Sequence, residues 1–169
     1  AVDVKSLIED VVRLLHAAML TERIEMRLIF GVVPPVFGDA VQLEQVVLNV
    51  VRNACDAIGA GEANAPRTVA IRTREGRPGY VVIEVSDTGV GVEDGGLERI
   101  FAHFVSTKPN GLGMGLAISR SIVDAHGGLI WATANAGRGL TIHIELAAYV
   151  SDARGEAREN EPRPLSSRA

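Results

Sequence analysis

The segment from about Ala40 to Ile58 constrains this chain most. Leu43, Val46, Val47, Val50, Val51 and Ala54 recur there at three- and four-residue spacing, which predicts a helix buried along one side. Such a helix has to be covered by a sheet or by other helices. The same segment carries Gln45, Asn49 and Asn53 one turn apart, and Arg52 and Asp56 likewise. Spacing of four sets those side chains on one face. Asparagine is a poor helix former, so two of them need a reason. Caps and solvent contact are one reason and chemistry is the other, and from the helix pattern alone both stay open. A carboxamide oxygen is a hard ligand suited to Mg2+, and its NH2 donates to phosphate oxygens.

The elements around that helix follow from their periods. Val4, Leu7, Ile8, Val11, Val12, Leu14 and Leu15 predict an earlier helix with Asp3 at its N-cap. Ile24 to Phe30 alternates as a strand and ends at Pro34-Pro35. Thr68 to Arg74 and Tyr80 to Ser86 read as a hairpin joined through Glu75 to Gly79, and Asp87 to Gly96 as a glycine-punctuated loop. Leu97 to Phe101 fits a helical turn, and Leu116 to His126 a helix stopped by Gly127-Gly128. Leu129 to Asn135 and Leu140 to Leu146 form a last hairpin. This order predicts an α+β fold with a mixed sheet and its helices on one face. Residues 1–150 are expected to form one domain, and the charged, aperiodic residues 151–169 a flexible tail.

Composition removes several classes of function. A formal charge of -4 speaks against a protein that works by gripping nucleic-acid phosphates. One cysteine, Cys55, leaves no internal disulfide and no multi-cysteine metal site, and fits a buried position better than a reactive one. Apolar runs such as Tyr80 to Val85 are too short to cross a bilayer. The 18 glycines against 4% aromatic residues imply an aliphatic core interrupted by special backbone positions.

Two of those glycine-rich stretches sit where a ligand could. Asp87-Thr88-Gly89-Val90-Gly91 directly follows a strand. A carboxylate there can accept from an exocyclic amine, while the glycines let a flat ligand approach the backbone. Lys108 to Gly115 places Gly111, Gly113 and Gly115 just before a helix, where backbone N–H groups and the helix dipole favour anions. Neither G-x-G-x-x-G nor G-x-x-x-x-G-K-[ST] occurs, so dinucleotide and Walker-type readings fail. Each stretch alone is an ordinary loop, but the three together are not a coincidence.

Together they resemble the ATP-binding catalytic domain of bacterial sensor histidine kinases, over roughly Val2 to Ala147. Asp39 to Ala57 matches that family's N box, Asp87 to Gly91 its first glycine box, and Ile100 to Phe104 its F box. Gly111 to Leu116 matches the second glycine box and Gly137 to Thr141 the last. Arg52-Asn53-Ala54 and Ser106 to Pro109 look most like the nitrogen- and oxygen-regulation branch. The resemblance implies a two-layer α/β sandwich of the Bergerat type, with a mostly antiparallel sheet and an ATP lid. It implies ATP and Mg2+ as ligands, with Asn53 on the metal, Asn49 on metal or phosphates, and Asp87 accepting from the adenine amine. Gly89 and Gly91 would shape the base pocket. Lys108 and the backbone of Gly111, Leu112, Gly113, Met114, Gly115 and Leu116 would form the lid, and Thr141 would lie near the adenine. Arg52 and Asp56 face the same end of the site.

The wider group includes gyrase and a heat-shock chaperone, in which the position of Asn49 is a glutamate that activates water. An amide cannot act as that base. The implied reaction is therefore phosphoryl transfer to a histidine on an upstream dimerisation domain, and from there to a response regulator receiver domain. His16, His103, His126 and His143 lack the context of that phosphoacceptor, so no catalytic residue is expected in this chain. His103 stands where the family often has proline. The start at Ala1 is expected to mark a monomeric piece of a longer, homodimeric cytoplasmic protein, with or without a membrane anchor. The alternatives are a degenerate nucleotide-binding docking module, a stand-alone ATPase, and a serine/threonine kinase of the same fold. Asn53, Asp87 and the lid glycines argue against the first. Asn49 argues against the second, and the long lid against the third.

Overall fold

Asp3 starts the first helix because its carboxylate accepts from the Lys5 N–H (3.1 Å) and the Ser6 hydroxyl (2.7 Å), filling an otherwise unsatisfied first turn. Helix α1 runs over Val4–Thr21 and buries Val4, Leu7, Ile8 and Val11. Arg23, with φ of 53°, turns the chain into β1 (Glu25–Phe30). Asp39 caps α2 (Ala40–Gly59) in the same way, accepting from the Gln42 N–H at 2.9 Å. The chain continues as β2 (Thr68–Glu75), β3 (Tyr80–Asp87), a short 3-10 turn (Arg99–Phe101), α3 (Gly115–Ala125), β4 (Leu129–Ala134) and β5 (Leu140–Ala147). This computed structural model describes residues 1–62, 64–92, 95–102 and 114–149. Lys108, Gly111, Leu112, Gly113, two of the five F-box residues (His103 and Phe104) and the tail expected from residue 151 lie outside the described residues.

The five strands form one sheet in the order β1-β2-β3-β5-β4. β1 runs parallel to β2, with α2 as the crossover, and every other neighbour is antiparallel. The mixed sheet expected from the element order is thus present. Val69 and Ile71 of β2, Val81, Ile83 and Val85 of β3, and Ile142, Ile144 and Leu146 of β5 alternate onto one face. They form a single core with the apolar stripes of α1, α2 and α3. Each such aliphatic side chain contributes about 1.5–3 kcal/mol when fully buried, so the helix layer is held on the sheet mainly by these residues.

The opposite face of the sheet carries polar residues. Trp131 stacks on His143 with ring centroids 4.8 Å apart, and His143 Nε2 lies 2.9 Å from the Thr133 hydroxyl. Burial holds the His143 imidazole below its ordinary pKa, against the pull of the nearby Glu84 carboxylate, which Arg74 pairs at 2.7 Å. Among the described residues no helix is long and apolar enough to cross a membrane.

Several boundaries shift by one or two residues, and two of these shifts matter for the site. Asp87 is the last residue of β3 rather than the first of a loop, because Val69 of β2 pairs with it. Helix α3 begins at Gly115, one residue before the expected Leu116.

Candidate functional site

Asp87 points to the helix side of the sheet at the end of β3 and is 6% exposed. Its Oδ1 accepts from the N–H of Gly89 (2.8 Å) and, more weakly, of Leu140 (3.4 Å). Oδ2 has no donor among the described residues. Burial raises the carboxyl pKa above the usual range, and the two backbone N–H groups offset part of that rise.

The turn after Asp87 is fixed by backbone contacts. The Thr88 hydroxyl donates to the Pro66 carbonyl (2.6 Å) and accepts from the Thr68 N–H (2.9 Å). Val90 donates to the Ala57 carbonyl at 3.2 Å, pinning the turn to the last turn of α2. A Cβ at Gly89 would lie 2.6–2.8 Å from Ala57, so only glycine allows this approach. Gly139, at φ of 84°, lies so close that a Cβ there would overlap the Asp87 carbonyl oxygen.

Asn135, absent from the expected site, braces the other side of Asp87. Its Nδ2 donates to the Asp87 carbonyl (2.8 Å) and to the Ser86 hydroxyl (3.2 Å). Its Oδ1 accepts from the Thr141 hydroxyl at 2.7 Å. Thr141 pairs with Ser86 across β3 and β5, so its side chain lies on the face away from the Asp87 carboxylate. Leu140 occupies the place beside Asp87 instead. Thr141 therefore belongs to the bracing behind the site.

From Ala57, α2 leads away from Asp87. Asn53 is one turn back and Asn49 two, about 12 Å along the axis at 1.5 Å per residue. Both are half-buried, while Arg52 and Asp56 are exposed. Asn49 Nδ2 donates to the Gly115 carbonyl (3.2 Å) and to Ser119 Oγ (3.4 Å). The Ser119 hydroxyl, fully buried, donates to the same carbonyl at 2.9 Å. The middle of α2 thus meets the first turn of α3, whose leading N–H groups lack intrahelical acceptors and carry the positive end of the helix dipole. Met114 precedes that turn, and Leu116 is buried beneath it. Phe101 is buried against α3, with the Arg120 guanidinium 5.6 Å from its ring centroid.

The donor set fits a hard divalent cation. Among the described residues no three His, Cys, Asp or Glu side chains converge on a metal position. Two amide oxygens on one helix face suit Mg2+, which keeps several waters and takes its other ligands from phosphates. Cys55, beside this row, is pushed up to about 11 by burial and by the charges of Asp56 and Asp87. Its thiol stays protonated at neutral pH.

The family model described as histidine kinase-, DNA gyrase B- and HSP90-like ATPase matches residues 38–149. The sensor protein FixL of Bradyrhizobium diazoefficiens is 40% identical over 113 residues, 67% of this chain and 22% of that protein. The C4-dicarboxylate transport sensor protein DctS of Rhodobacter capsulatus is 35% identical over 149 residues, 86% of this chain and again 22% of the relative. The chain therefore spans well under half the length of either. Full-length ShkA in complex with AMPPNP superposes with a TM-score of 0.76 at 29% identity, over 89% of this chain and 31% of that one. The nucleotide-free catalytic domain of histidine kinase ThkA does so at 0.74 and 28%, over 86% of this chain and 92% of that one. The chain belongs to the histidine kinase-, DNA gyrase B- and HSP90-like ATPase family, as a Bergerat-fold ATP-binding domain of the sensor histidine kinase type.

Proposed function

We propose that this chain binds Mg-ATP along α2, with the adenine at Asp87 and the phosphates at the Asn49 end. It would then donate the γ-phosphoryl group to a histidine on a separate dimerisation domain. One observation carries the reading. A buried carboxylate with one oxygen unclaimed among the described residues lies by the last turn of α2, and an amide row beside the start of α3 lies one to two turns back along the same helix. Asp87 Oδ2 accepts from the adenine amine, while Gly89 and Gly91 give the base room beside the backbone. Asn53, with Asn49, holds the metal, and Arg52 and Asp56 lie beside the phosphates. The residues from Lys108 to Leu116, including Gly111, Leu112, Gly113, Met114 and Gly115, close over the triphosphate as a lid.

Held by Asn53 with Asn49, Mg2+ would supply neutralisation of phosphate charge and stabilisation of the leaving oxygen. The chain's own residues orient the nucleotide and exclude water. Because Asn49 cannot take a proton from water, hydrolysis is slow and the phosphoryl group waits for a better nucleophile. An imidazole nitrogen of the acceptor then forms the P–N bond as the bond to ADP breaks, and its proton passes to solvent. A response regulator receiver domain takes the group next. In the intact protein, residues 1–150 would act as the catalytic domain of a homodimeric, cytoplasmic kinase module, with 151–169 as a tail.

Calorimetric titration with ADP and AMPPNP, with Mg2+ and with EDTA, tests the site. Incubation with radiolabelled ATP and a separately purified histidine-bearing dimerisation domain tests the transfer. Label on the acceptor histidine supports the proposal. Tight nucleotide binding without transfer would favour the docking module, and the absence of nucleotide binding would overturn both.

A further inference from the structure

Asn49 offers either an oxygen or an NH2 to whatever binds beside it, and the two suit different ligands. The neighbourhood on α3 decides between them. The Gly115 carbonyl can only accept, so the amide atom 3.2 Å from it is the nitrogen. The Ser119 hydroxyl has one proton, and it is committed to the same carbonyl at 2.9 Å. Its lone pairs are left to accept from the same Asn49 nitrogen, at 3.4 Å. The two acceptors lie only 2.9 Å apart, so the amide nitrogen faces α3 through a hydrogen shared between them, and the planar group turns its oxygen away from α3. Ser119 is 0% exposed, so no water replaces its hydroxyl in this role.

We infer that Ser119 is a positioning residue that holds the Asn49 amide with its nitrogen on α3 and its oxygen outward, presenting that oxygen to the metal. The inference rests on the nucleotide site proposed above. Without Ser119 the amide retains one hydrogen bond and gains freedom to rotate, so its oxygen is no longer held in place. Net hydrogen-bond contributions correspond to roughly fivefold in affinity.

The test compares wild type with Ser119→Ala and Ser119→Cys. Cysteine keeps nearly the same volume but is a weak acceptor. AMPPNP binding is titrated with Mg2+ and with EDTA, melting temperature is recorded, and the Asn49 side-chain N–H pair is followed by NMR without nucleotide. That pair is identified by its loss in Asn49→Ala. Both Ser119 variants are expected to lose roughly fivefold of the Mg2+-dependent tightening and to hold EDTA binding within about twofold. Both should also shift the Asn49 amide pair.

Equal losses with Mg2+ and with EDTA would mean a packing role and overturn the inference. So would a cysteine variant that behaves like wild type, or an unmoved Asn49 amide signal. A wild type that binds AMPPNP with no response to Mg2+ overturns the inference and leaves the nucleotide site standing. A wild type that binds no nucleotide removes both.

Discussion

Asp87→Asn separates the two oxygens of one side chain. In the native protein Oδ1 is held by the N–H groups of Gly89 and Leu140, and Oδ2, which has no donor among the described residues, is the oxygen proposed to meet the adenine. In the variant those two donors keep the amide oxygen at the Oδ1 position, which turns the NH2 outward. The adenine 6-amino group then meets a donor instead of an acceptor. Losing a hydrogen bond to a charged group and leaving a buried donor unpaired costs about 2–4 kcal/mol, a ~30- to ~900-fold loss of ADP affinity. The fold should not suffer, because a desolvated charge has been removed. The native state holds the Asp87 proton to higher pH than the unfolded chain does, so wild-type stability falls as pH rises through that window, and this slope disappears in the variant. Calorimetry with ADP and with inosine diphosphate reads the binding. The variant should lose ADP and gain relative preference for the 6-oxo base, which accepts where adenine donates. A variant that still prefers adenine, at unchanged affinity, would refute the reasoning about Oδ2.

Four further outcomes follow from the same geometry. Asn53→Ala should bind ADP in EDTA like wild type and lose Mg2+-dependent tightening, read by titration. Gly139→Ala should lower the urea midpoint steeply, by about 2 kcal/mol or more, because an alanine there is strained at positive φ and overlaps the Asp87 carbonyl. Cys55, at a pKa of about 11, should resist iodoacetamide at pH 7.5 in the folded protein and react once urea unfolds it. His143 has a folded pKa below its unfolded one, so its contribution to stability is present above the ordinary histidine value and is lost as pH falls through the folded one. Urea unfolding from pH 7.5 to 5 should show that loss in wild type and not in His143→Gln.

The sequence made some parts of this site legible. The ends of α2 could be read because Asp39 caps it locally and its apolar period is unbroken. Asp87 could be read because a carboxylate between an apolar strand and a glycine turn is conspicuous even without its partners. Ser119 and Asn135 could not, since their meaning lies in contacts with residues 70 and 48 positions away. Thr141 shows the limit most clearly. Its placement depends on strand register, and a one-residue step along β5 moves a side chain to the other face. A polar residue beside a glycine pair was visible, but the leucine before it, which supplies the N–H to Asp87, carried no local signal.

The floor of the proposed base pocket is built from backbone pressed on backbone, Gly89 against Ala57 and Gly139 against Asp87. Inhibitor resistance usually arises when a side chain at a contact position grows or changes polarity. Here the new atoms would collide with the protein itself before reaching a bound compound, and the N–H groups that orient Asp87 belong to the main chain, which no point mutation except to proline removes. A compound that competes for Asp87 while touching little beyond this floor would leave the protein few single-residue escapes that keep its own ligand.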